Sequence, residues 1–264
     1  MRIEGREIAA TIFEDLKKQI EDLKSKNIIP HLHIITLTTD SSSEAYVSQK
    51  RKRGEGIGAK ITVENLDPQT STEELLRKIE ELNQDKTVHG IIVQRPFSKQ
   101  INEEEIANSI DPEKDVDGFH PDSIFAPPIA ESVLKILEKV LELKKINSNL
   151  IDWLKSQNIS VVGRGVTAGG PIINTLQENG IEPQIVTSKT ENKSEILKSS
   201  DIIICAVGKT DTVKGGDIKK GAVLIGVGMF KGEDGKFHSD YEEKDIKDIA
   251  SFYTPIPGGV GPVN

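Results

Sequence analysis

Residues 115–121 read Asp-Val-Asp-Gly-Phe-His-Pro, and this acidic segment lies between two stretches with apolar residues at helical spacing. Aspartate and glycine favour turns for backbone reasons, so Asp115, Asp117 and Gly118 are compatible with a simple connection between helices. A carboxylate can also accept two parallel hydrogen bonds from the edge of a ligand. The segment is therefore either a plain turn or a binding site for a ligand with paired donors.

Tyr46 and Lys50 are four residues apart on a predicted helix and project from the same face. Taken alone, the pair is typical of a half-buried tyrosine beside one lysine of a solvated basic face, residues 50–53. A lysine next to other cations can also exchange protons near neutral pH, and Arg51, Lys52 and Arg53 supply such cations. The pair itself leaves both interpretations open.

The segment Gly163-Arg-Gly-Val-Thr-Ala168 fits the pattern Gly-x-Gly-x-x-Gly/Ala, directly after a predicted strand and before a predicted helix. Glycines let the backbone turn tightly and approach a pyrophosphate, which unpaired amides at the helix start then bind. A glycine-rich turn of this kind can also occur in any doubly wound sheet. The segment is therefore a dinucleotide-binding loop or a structural turn.

The strand after the glycine loop indicates which dinucleotide such a site would bind. A site for NAD usually has Asp or Glu about twenty residues further on, which binds the ribose hydroxyls. Here Val186 is followed by Thr-Ser-Lys-Thr, and Arg164 lies in the glycine loop itself. Hydroxyls and cations are suited to a phosphate, which favours NADP.

Strands and helices alternate along the chain, and the strands are nearly unbroken apolar runs, which predicts parallel sheets covered on both faces. We expect strands at 32–37, 60–63, 88–93, 159–162, 183–186, 201–207 and 222–227, and helices at 8–23, 43–52, from 71, 102–110, 130–146 and 170–179. Ser71 begins a capping box, and Gly180 can end its helix in the left-handed conformation.

This pattern predicts a two-domain α/β protein. An N-terminal domain with a parallel sheet would occupy residues 1–125, and a Rossmann-like dinucleotide-binding domain would occupy residues 126–264. Within the second domain, residues 126–147 would form a connecting helix, and residues 254–264 would return to a cleft between the domains.

Composition excludes several classes of protein. The formal charge of −8 argues against general nucleic-acid binding, and no apolar run approaches membrane-spanning length. The single cysteine, Cys205, excludes an internal disulfide. The chain opens without a charged-then-apolar signal segment, so we expect a cytoplasmic protein.

Five motifs, in this order and at these separations, resemble the bifunctional methylenetetrahydrofolate dehydrogenase/cyclohydrolase family: Tyr-Val-Ser-Gln-Lys at 46–50, Gly-Ile-Ile-Val-Gln-Arg-Pro-Phe at 90–97, Lys-Asp-Val-Asp-Gly at 114–118, the glycine loop, and Pro-Gly-Gly-Val-Gly-Pro at 257–262. The resemblance extends over nearly the whole chain. It implies oxidation of methylenetetrahydrofolate with NADP, hydrolysis of the methenyl product to formyltetrahydrofolate, and a homodimer.

The resemblance also implies a role for each motif residue. The catalytic residues would be Lys50, which acts in both reactions, Gln94, which orients it, Tyr46, which stacks on the substrate, and Asp117, which holds the amino-pyrimidine edge of the pterin. Substrate binding would involve Ser43, Tyr46, Asp117, Pro257, Gly258 and Gly259. NADP binding would involve Gly163, Arg164, Gly165, Ala168, Gly169, Ser188, Ala206, Val207 and Gly208. No metal is expected.

The chain departs from the family pattern at several positions. Arg95 replaces a leucine, Gly165 a serine and Gly226 an aspartate, residues 127–130 differ from Pro-Cys-Thr-Pro, and the usual final helix is absent. These departures leave open a protein with only one of the two activities, or a binder of folate or dinucleotide without turnover. Retention of Lys50 and Gln94 argues against a binder, which has no need of a proton-transfer group.

Overall fold

The computed structural model describes residues 1–37, 41–232, 235 and 237–264. The chain divides into two compact units, one formed by Thr11–Pro127 and the other by Met1–Ala10 together with Pro128–Asn264. We call them the N-terminal and the C-terminal unit. The first ten residues thus group with the C-terminal unit, whereas the predicted N-terminal domain, residues 1–125, included them.

The reason for this grouping is a set of backbone hydrogen bonds over a long sequence separation. The amide of Ile3 donates to Tyr253 O at 2.8 Å, and the amide of Gly5 donates to Gly258 O at 2.9 Å. The side chain of Ile3 is buried in the core of the C-terminal unit. No local pattern in the first ten residues indicates such a partner.

The N-terminal unit contains a parallel sheet in the order β2-β1-β3. Its elements are α1 (Gly5–Ser25), which contains the boundary between the units, β1 (His31–Thr36), α2 (Ser41–Ile57), β2 (Lys60–Asn65), α3 (Thr72–Gln84), β3 (Gly90–Val93) and α4 (Glu103–Ser109). All four residues of β3 are buried, as its apolar run predicts. The core on one side of this sheet includes Ile35, Leu75, Ile79 and Ile91.

The helix starts of this unit follow their sequence signals. Ser71 and Glu74 form the predicted capping box, and the amide of Glu105 donates to the side chain of Asn102. Helix α2 continues past the predicted end at Lys52 to Ile57, and Arg51 pairs with Glu55 one turn later at 2.8 Å.

The C-terminal unit contains a larger parallel sheet in the order β10-β7-β6-β4-β5. Its elements are α5 (Pro128–Leu143), α6 (Leu150–Lys155), β4 (Ile159–Val162), α7 (Gly169–Glu178), β5 (Gln184–Val186), α8 (Lys193–Ser199), β6 (Ile202–Cys205), β7 (Val223–Gly226), β8 (Met229–Lys231), β9 (Phe237–Ser239), α9 (Glu243–Ile246) and β10 (Phe252–Tyr253). Strands β8 and β9 form a separate antiparallel hairpin.

Strand β4 lies at the point where the order of this sheet reverses. The next strand, β5, pairs with one edge of β4, and β6 pairs with the other. In open α/β sheets, ligands bind outside the carboxyl ends of the strands at such a point. The glycine loop follows β4 and is therefore in the position that a dinucleotide site requires.

Within the described part of the chain, no helix has both the length and the apolar character that a bilayer crossing demands.

Candidate functional site

Four of the predicted site residues converge in the N-terminal unit. The ammonium of Lys50 on α2 is 3.4 Å from Oε1 of Gln94, 3.9 Å from Oδ1 of Asp117 and 5.0 Å from the centre of the Tyr46 ring. These residues come from a helix, the end of a strand and the acidic turn. The fold thus assembles a cation, an amide, a carboxylate and an aromatic ring around one point.

The spacing on α2 explains part of this arrangement. Residues four apart lie on one helix face, so the lysine can reach over the Tyr46 ring. Tyr46 is 38% exposed, which leaves part of its side chain open to a ligand. Ser43, one turn earlier on the same helix, is buried.

Hydrogen bonds orient Gln94 at the end of β3. Its backbone amide donates to Ile35 O on β1 at 2.8 Å, which extends the sheet pairing by one residue. Its side-chain Nε2 donates to Arg95 O at 2.9 Å, so Oε1 turns to Lys50. Gln94 can therefore accept a hydrogen bond from the ammonium and hold Lys50 in position.

The two aspartates of the acidic turn have different environments. Asp115 is buried, and its carboxylate accepts the amide of His120 at 2.7 Å. Gly118 has φ +67°, and a Cβ atom there would lie 2.7 Å from Phe125 O, so a side chain would clash. Asp115 thus supports the turn, while Asp117 faces Lys50.

The neighbouring Lys114 also supports the fold. Its ammonium donates to the carbonyl oxygens of Leu82, Asn83 and Asp85 at the end of α3. A cation at a helix C-terminus offsets the partial charge of the last carbonyl groups. The lysine of the Lys-Asp-Val-Asp-Gly motif is therefore a capping residue of α3.

Burial raises the pKa of the Asp117 carboxyl above its ordinary value. The positive charge of Lys50 opposes this effect, Asp115 adds to it, and the charge of Arg95 again opposes it. The Asp117 side chain as a whole is 21% exposed. The site holds a carboxylate whose ionisation depends on neighbouring cations.

The glycine loop of the C-terminal unit has the geometry that a pyrophosphate site needs. Gly163 has φ +98°, and a Cβ atom on it would lie 2.7 Å from Ala206 O. A Cβ atom on Gly169, at the start of α7, would lie 2.3 Å from Gly163 O, whereas one on Gly165 would meet nothing within 4 Å. Close packing thus requires glycine at positions 163 and 169. At Gly165 the space beside the backbone is open to a ligand.

The start of α7 is also suited to an anion. Ala168 occupies the N-cap position and provides no side-chain cap, and the preceding residues 164–167 are exposed. Helix N-termini without a side-chain cap bind anions through their amides and the helix dipole. The residues present therefore fit the pyrophosphate of a dinucleotide.

The end of β5 lies next to the glycine loop. The amide of Gly163 donates to Val186 O at 2.9 Å, which connects the two segments directly. In the turn that follows, the amide of Thr187 donates to Thr190 Oγ1 at 3.0 Å, and Ser188 is exposed between them. Ser188 and Arg164 are thus exposed groups on two adjacent loops, as a phosphate-binding pair requires.

Sequence reasoning missed the residue that holds the loop Ala206–Gly208, which is predicted to bind the cofactor. Asp240, after β9, is fully buried and accepts the amides of Val207 at 3.2 Å and Lys209 at 3.0 Å. Burial raises the pKa of Asp240, and these amide hydrogen bonds lower it in part. The residue lies more than 30 positions from this loop, and no spacing rule connects them.

The remaining predicted residues, Pro257, Gly258 and Gly259, belong to the C-terminal unit. Gly258 has φ +113°, and a Cβ atom on Gly259 would lie 2.6 Å from Pro255 O, so the loop requires both glycines. The loop begins at Thr254, which is fully buried.

Thr254 is held by a group that sequence reasoning also missed. The hydroxyl of Tyr241 donates to Thr254 O at 2.6 Å, and the amide of Gly226 donates to Thr254 Oγ1 at 2.8 Å. A Cβ atom on Gly226 would approach the Tyr241 hydroxyl to 3.0 Å. The space beside Gly226, where the family pattern has an aspartate, is therefore occupied by the Tyr241 hydroxyl.

Two family models match the chain. Residues 3–117 match the catalytic domain of tetrahydrofolate dehydrogenase/cyclohydrolase, and residues 138–264 match the NAD(P)-binding domain of the same family. The matched ranges contain every residue of the predicted site.

Individual relatives agree with these matches. The chain is 37% identical to the bifunctional protein FolD of Staphylococcus haemolyticus over 261 residues, covering 99% of this chain and 91% of that protein. Among solved structures, it is similar to the bifunctional FolD of Campylobacter jejuni, with TM-score 0.91, 32% identity, and coverage of 100% and 93% of the two chains. It is also similar to the Trypanosoma brucei enzyme in complex with NADP and an inhibitor, with TM-score 0.87, 28% identity and coverage of 100% and 92%.

Proposed function

Because the chain belongs to the tetrahydrofolate dehydrogenase/cyclohydrolase family, we propose that it oxidises methylenetetrahydrofolate with NADP and hydrolyses the methenyl product to formyltetrahydrofolate. The observation that carries this proposal is the convergence of Lys50, Gln94 and Asp117 beside an exposed tyrosine ring. A protein that only binds folate needs the carboxylate and the ring. It does not need an oriented ammonium.

On the substrate side, Asp117 accepts paired hydrogen bonds from the amino-pyrimidine edge of the pterin, and the Tyr46 ring stacks on the substrate. The position of Asp117 supports this role, because Asp115 already provides the structural carboxylate of the turn. Ser43 and the loop Pro257–Gly259 complete the substrate-binding residues that we propose.

Lys50 transfers protons in the hydrolysis step. Water adds to the bridging carbon of the methenyl cation, and the neutral amine form of Lys50 takes one proton from this water, which makes it an ammonium. The carbon–nitrogen bond of the adduct then breaks as the formyl carbonyl forms. In this step the departing ring nitrogen receives the proton from the Lys50 ammonium, and the hydroxyl proton of the adduct is released to solvent. Gln94 keeps the ammonium aimed at the reacting carbon, and such positioned acids and bases typically contribute about a hundredfold or more to the rate.

The C-terminal unit provides the cofactor site. Gly163, Gly165, Ala168 and Gly169 leave the backbone of the glycine loop open to the pyrophosphate, and Ala206, Val207 and Gly208 form the adjacent loop. Arg164 and Ser188 bind the additional phosphate that distinguishes NADP from NAD. When bound, NADP supplies the hydride acceptor for the oxidation.

The test is an absorbance assay with purified protein, methylenetetrahydrofolate, and either NADP or NAD. Reduced cofactor and methenyl product are followed separately, so the two activities are measured independently. We expect NADP to be reduced and the methenyl compound to be consumed when it is supplied directly. Reduction without hydrolysis would indicate a dehydrogenase alone, and neither reaction would contradict the proposal.

We further propose a cytoplasmic homodimer that binds neither nucleic acid nor membranes. Support comes from the family resemblance, the single buried cysteine and the net charge of −8. Light scattering coupled to size-exclusion chromatography tests the assembly, since a monomer at micromolar concentration would contradict it.

A further inference from the structure

Arg95 is a charged residue of the N-terminal unit whose role none of the motifs assigns. It follows Gln94 directly, at a position where the family pattern has leucine. Its guanidinium lies 4.8 Å from the centre of the Phe97 ring and 4.3 Å from the centre of the Phe119 ring, and it pairs with Glu103 at the start of α4. The side chain is 18% exposed.

These contacts hold the guanidinium in one place. A planar guanidinium stacks on aromatic faces and pairs with a carboxylate at the same time, which an ammonium does less well. Phe119 is two residues after Asp117, so Arg95 connects the end of β3 to the acidic turn. Leucine at this position would retain apolar contact with the rings and lose the charge.

The charges around Asp117 come from four elements. Lys50 faces it from α2 at 3.9 Å, Asp115 from the same turn, and Arg95 from the end of β3, while Glu103 on α4 partly offsets the charge of Arg95. Burial and Asp115 raise the pKa of the Asp117 carboxyl, and Lys50 and Arg95 lower it. Arg95 is thus the second cation that favours ionised Asp117.

We propose that Arg95 is a positioning residue that keeps Asp117 ionised and holds its turn in place for the amino-pyrimidine edge of the substrate. This inference rests on the proposed function. An ionised carboxylate accepts both hydrogen bonds of that edge, whereas a protonated one presents a donor at one oxygen and faces a donor of the ligand. Folate affinity therefore decreases as the pH falls and Asp117 becomes protonated. The charge of Arg95 lowers the pH at which this loss of affinity occurs.

The experiment measures the dissociation constant of folic acid by titration calorimetry over a pH series, in the unmodified protein and in three variants. Arg95→Gln removes the charge and keeps a planar group against the rings, Arg95→Leu introduces the family residue, and Arg95→Lys keeps the charge. Arg77→Leu is the matched control, because Arg77 is an exposed arginine on α3 in the same unit. Ionisation of folic acid itself is common to all proteins and cancels in the comparison.

We expect the acid-side loss of affinity to begin at a measurably higher pH in Arg95→Gln and Arg95→Leu, because both variants remove a cation that favours ionised Asp117. The dissociation constants of Arg95→Lys and Arg77→Leu should have the same pH dependence as that of the unmodified protein. An unchanged profile in folded Arg95→Gln would overturn the inference, even if its melting temperature were lower, because a purely structural role lowers stability without moving the profile. A failure of the proposed function would be seen separately, because the unmodified protein would then show no turnover.

Discussion

The replacement Tyr241→Phe tests whether a buried hydroxyl holds the loop that begins at Thr254. It removes one oxygen atom and leaves the ring in place. In the native protein, this hydroxyl donates to Thr254 O at 2.6 Å and lies 3.2 Å from Thr254 Oγ1. Burial raises the pKa of Tyr241 far above its usual range, so the phenol keeps its proton and stays a donor at any working pH.

The magnitude follows from the burial of both partners. Tyr241 is 4% exposed and Thr254 is 0% exposed, so water does not replace the lost donor. A buried carbonyl left without its donor costs about 1–3 kcal/mol of stability. Tyr253→Phe is the matched control in the same unit, because its hydroxyl donates to Glu243, whose side chain is 42% exposed. The loss of stability in Tyr253→Phe should be about 1 kcal/mol or less, since water can replace the Tyr253 hydroxyl as the donor to Glu243.

The assay is urea denaturation followed by tryptophan fluorescence. Trp153 is the chain's one tryptophan and is buried in the core of the C-terminal unit, so its emission reports the unfolding of this unit. We expect the midpoint to decrease clearly in Tyr241→Phe and only slightly in Tyr253→Phe. Equal midpoints in the two variants would refute the reasoning that the buried hydroxyl supports Thr254.

Three further predictions concern the proposed site. Lys50→Met should abolish hydrolysis and reduce oxidation about a hundredfold or more. Lys17→Met, at an exposed position on α1, is the control. Near-normal hydrolysis in folded Lys50→Met would exclude Lys50 as the proton-transfer group. Arg164→Ala should raise the KM for NADP and leave the KM for NAD nearly unchanged, because a charge-assisted contact to the additional phosphate of NADP is lost. Equal turnover of the unmodified protein with both cofactors would contradict this preference for NADP. Asp117→Ala should weaken folate binding with little change in melting temperature. Asp115→Ala should lower the melting temperature, because it removes the acceptor of the His120 amide. The opposite pattern would make Asp117 the structural residue.

Much of the fold was predictable because its signals are local. Continuous apolar runs predicted the parallel strands, and β4 has the predicted bounds, Ile159–Val162. The capping box at Ser71 and the left-handed Gly180 depend only on residues within one or two turns of helix. The glycine loop was identified by its context between a strand and a helix. Such features are decided by a residue's immediate neighbours, which the sequence displays.

Element ends were less predictable. The strand predicted from Val88 begins at Gly90, because its pairing partner β1 begins at His31 and sets the register. The hairpin β8–β9 was not predicted as a separate element, since its strands are short and its pairing lies outside the main sheet. Ends of strands depend on partner strands, and those partners are distant in the chain.

The sequence by itself determined the α/β class, the family and the residues of the proposed site. Tertiary structure decided which of those residues support the fold and which face the proposed site. It separated Asp115, which supports the turn, from Asp117, which faces Lys50, although both belong to one motif. It also brought Asp240 to the loop Ala206–Gly208 and Tyr241 to Thr254. The physical reason is that burial and hydrogen bonding of these groups depend on the strand order of the sheets, and no local spacing encodes that order.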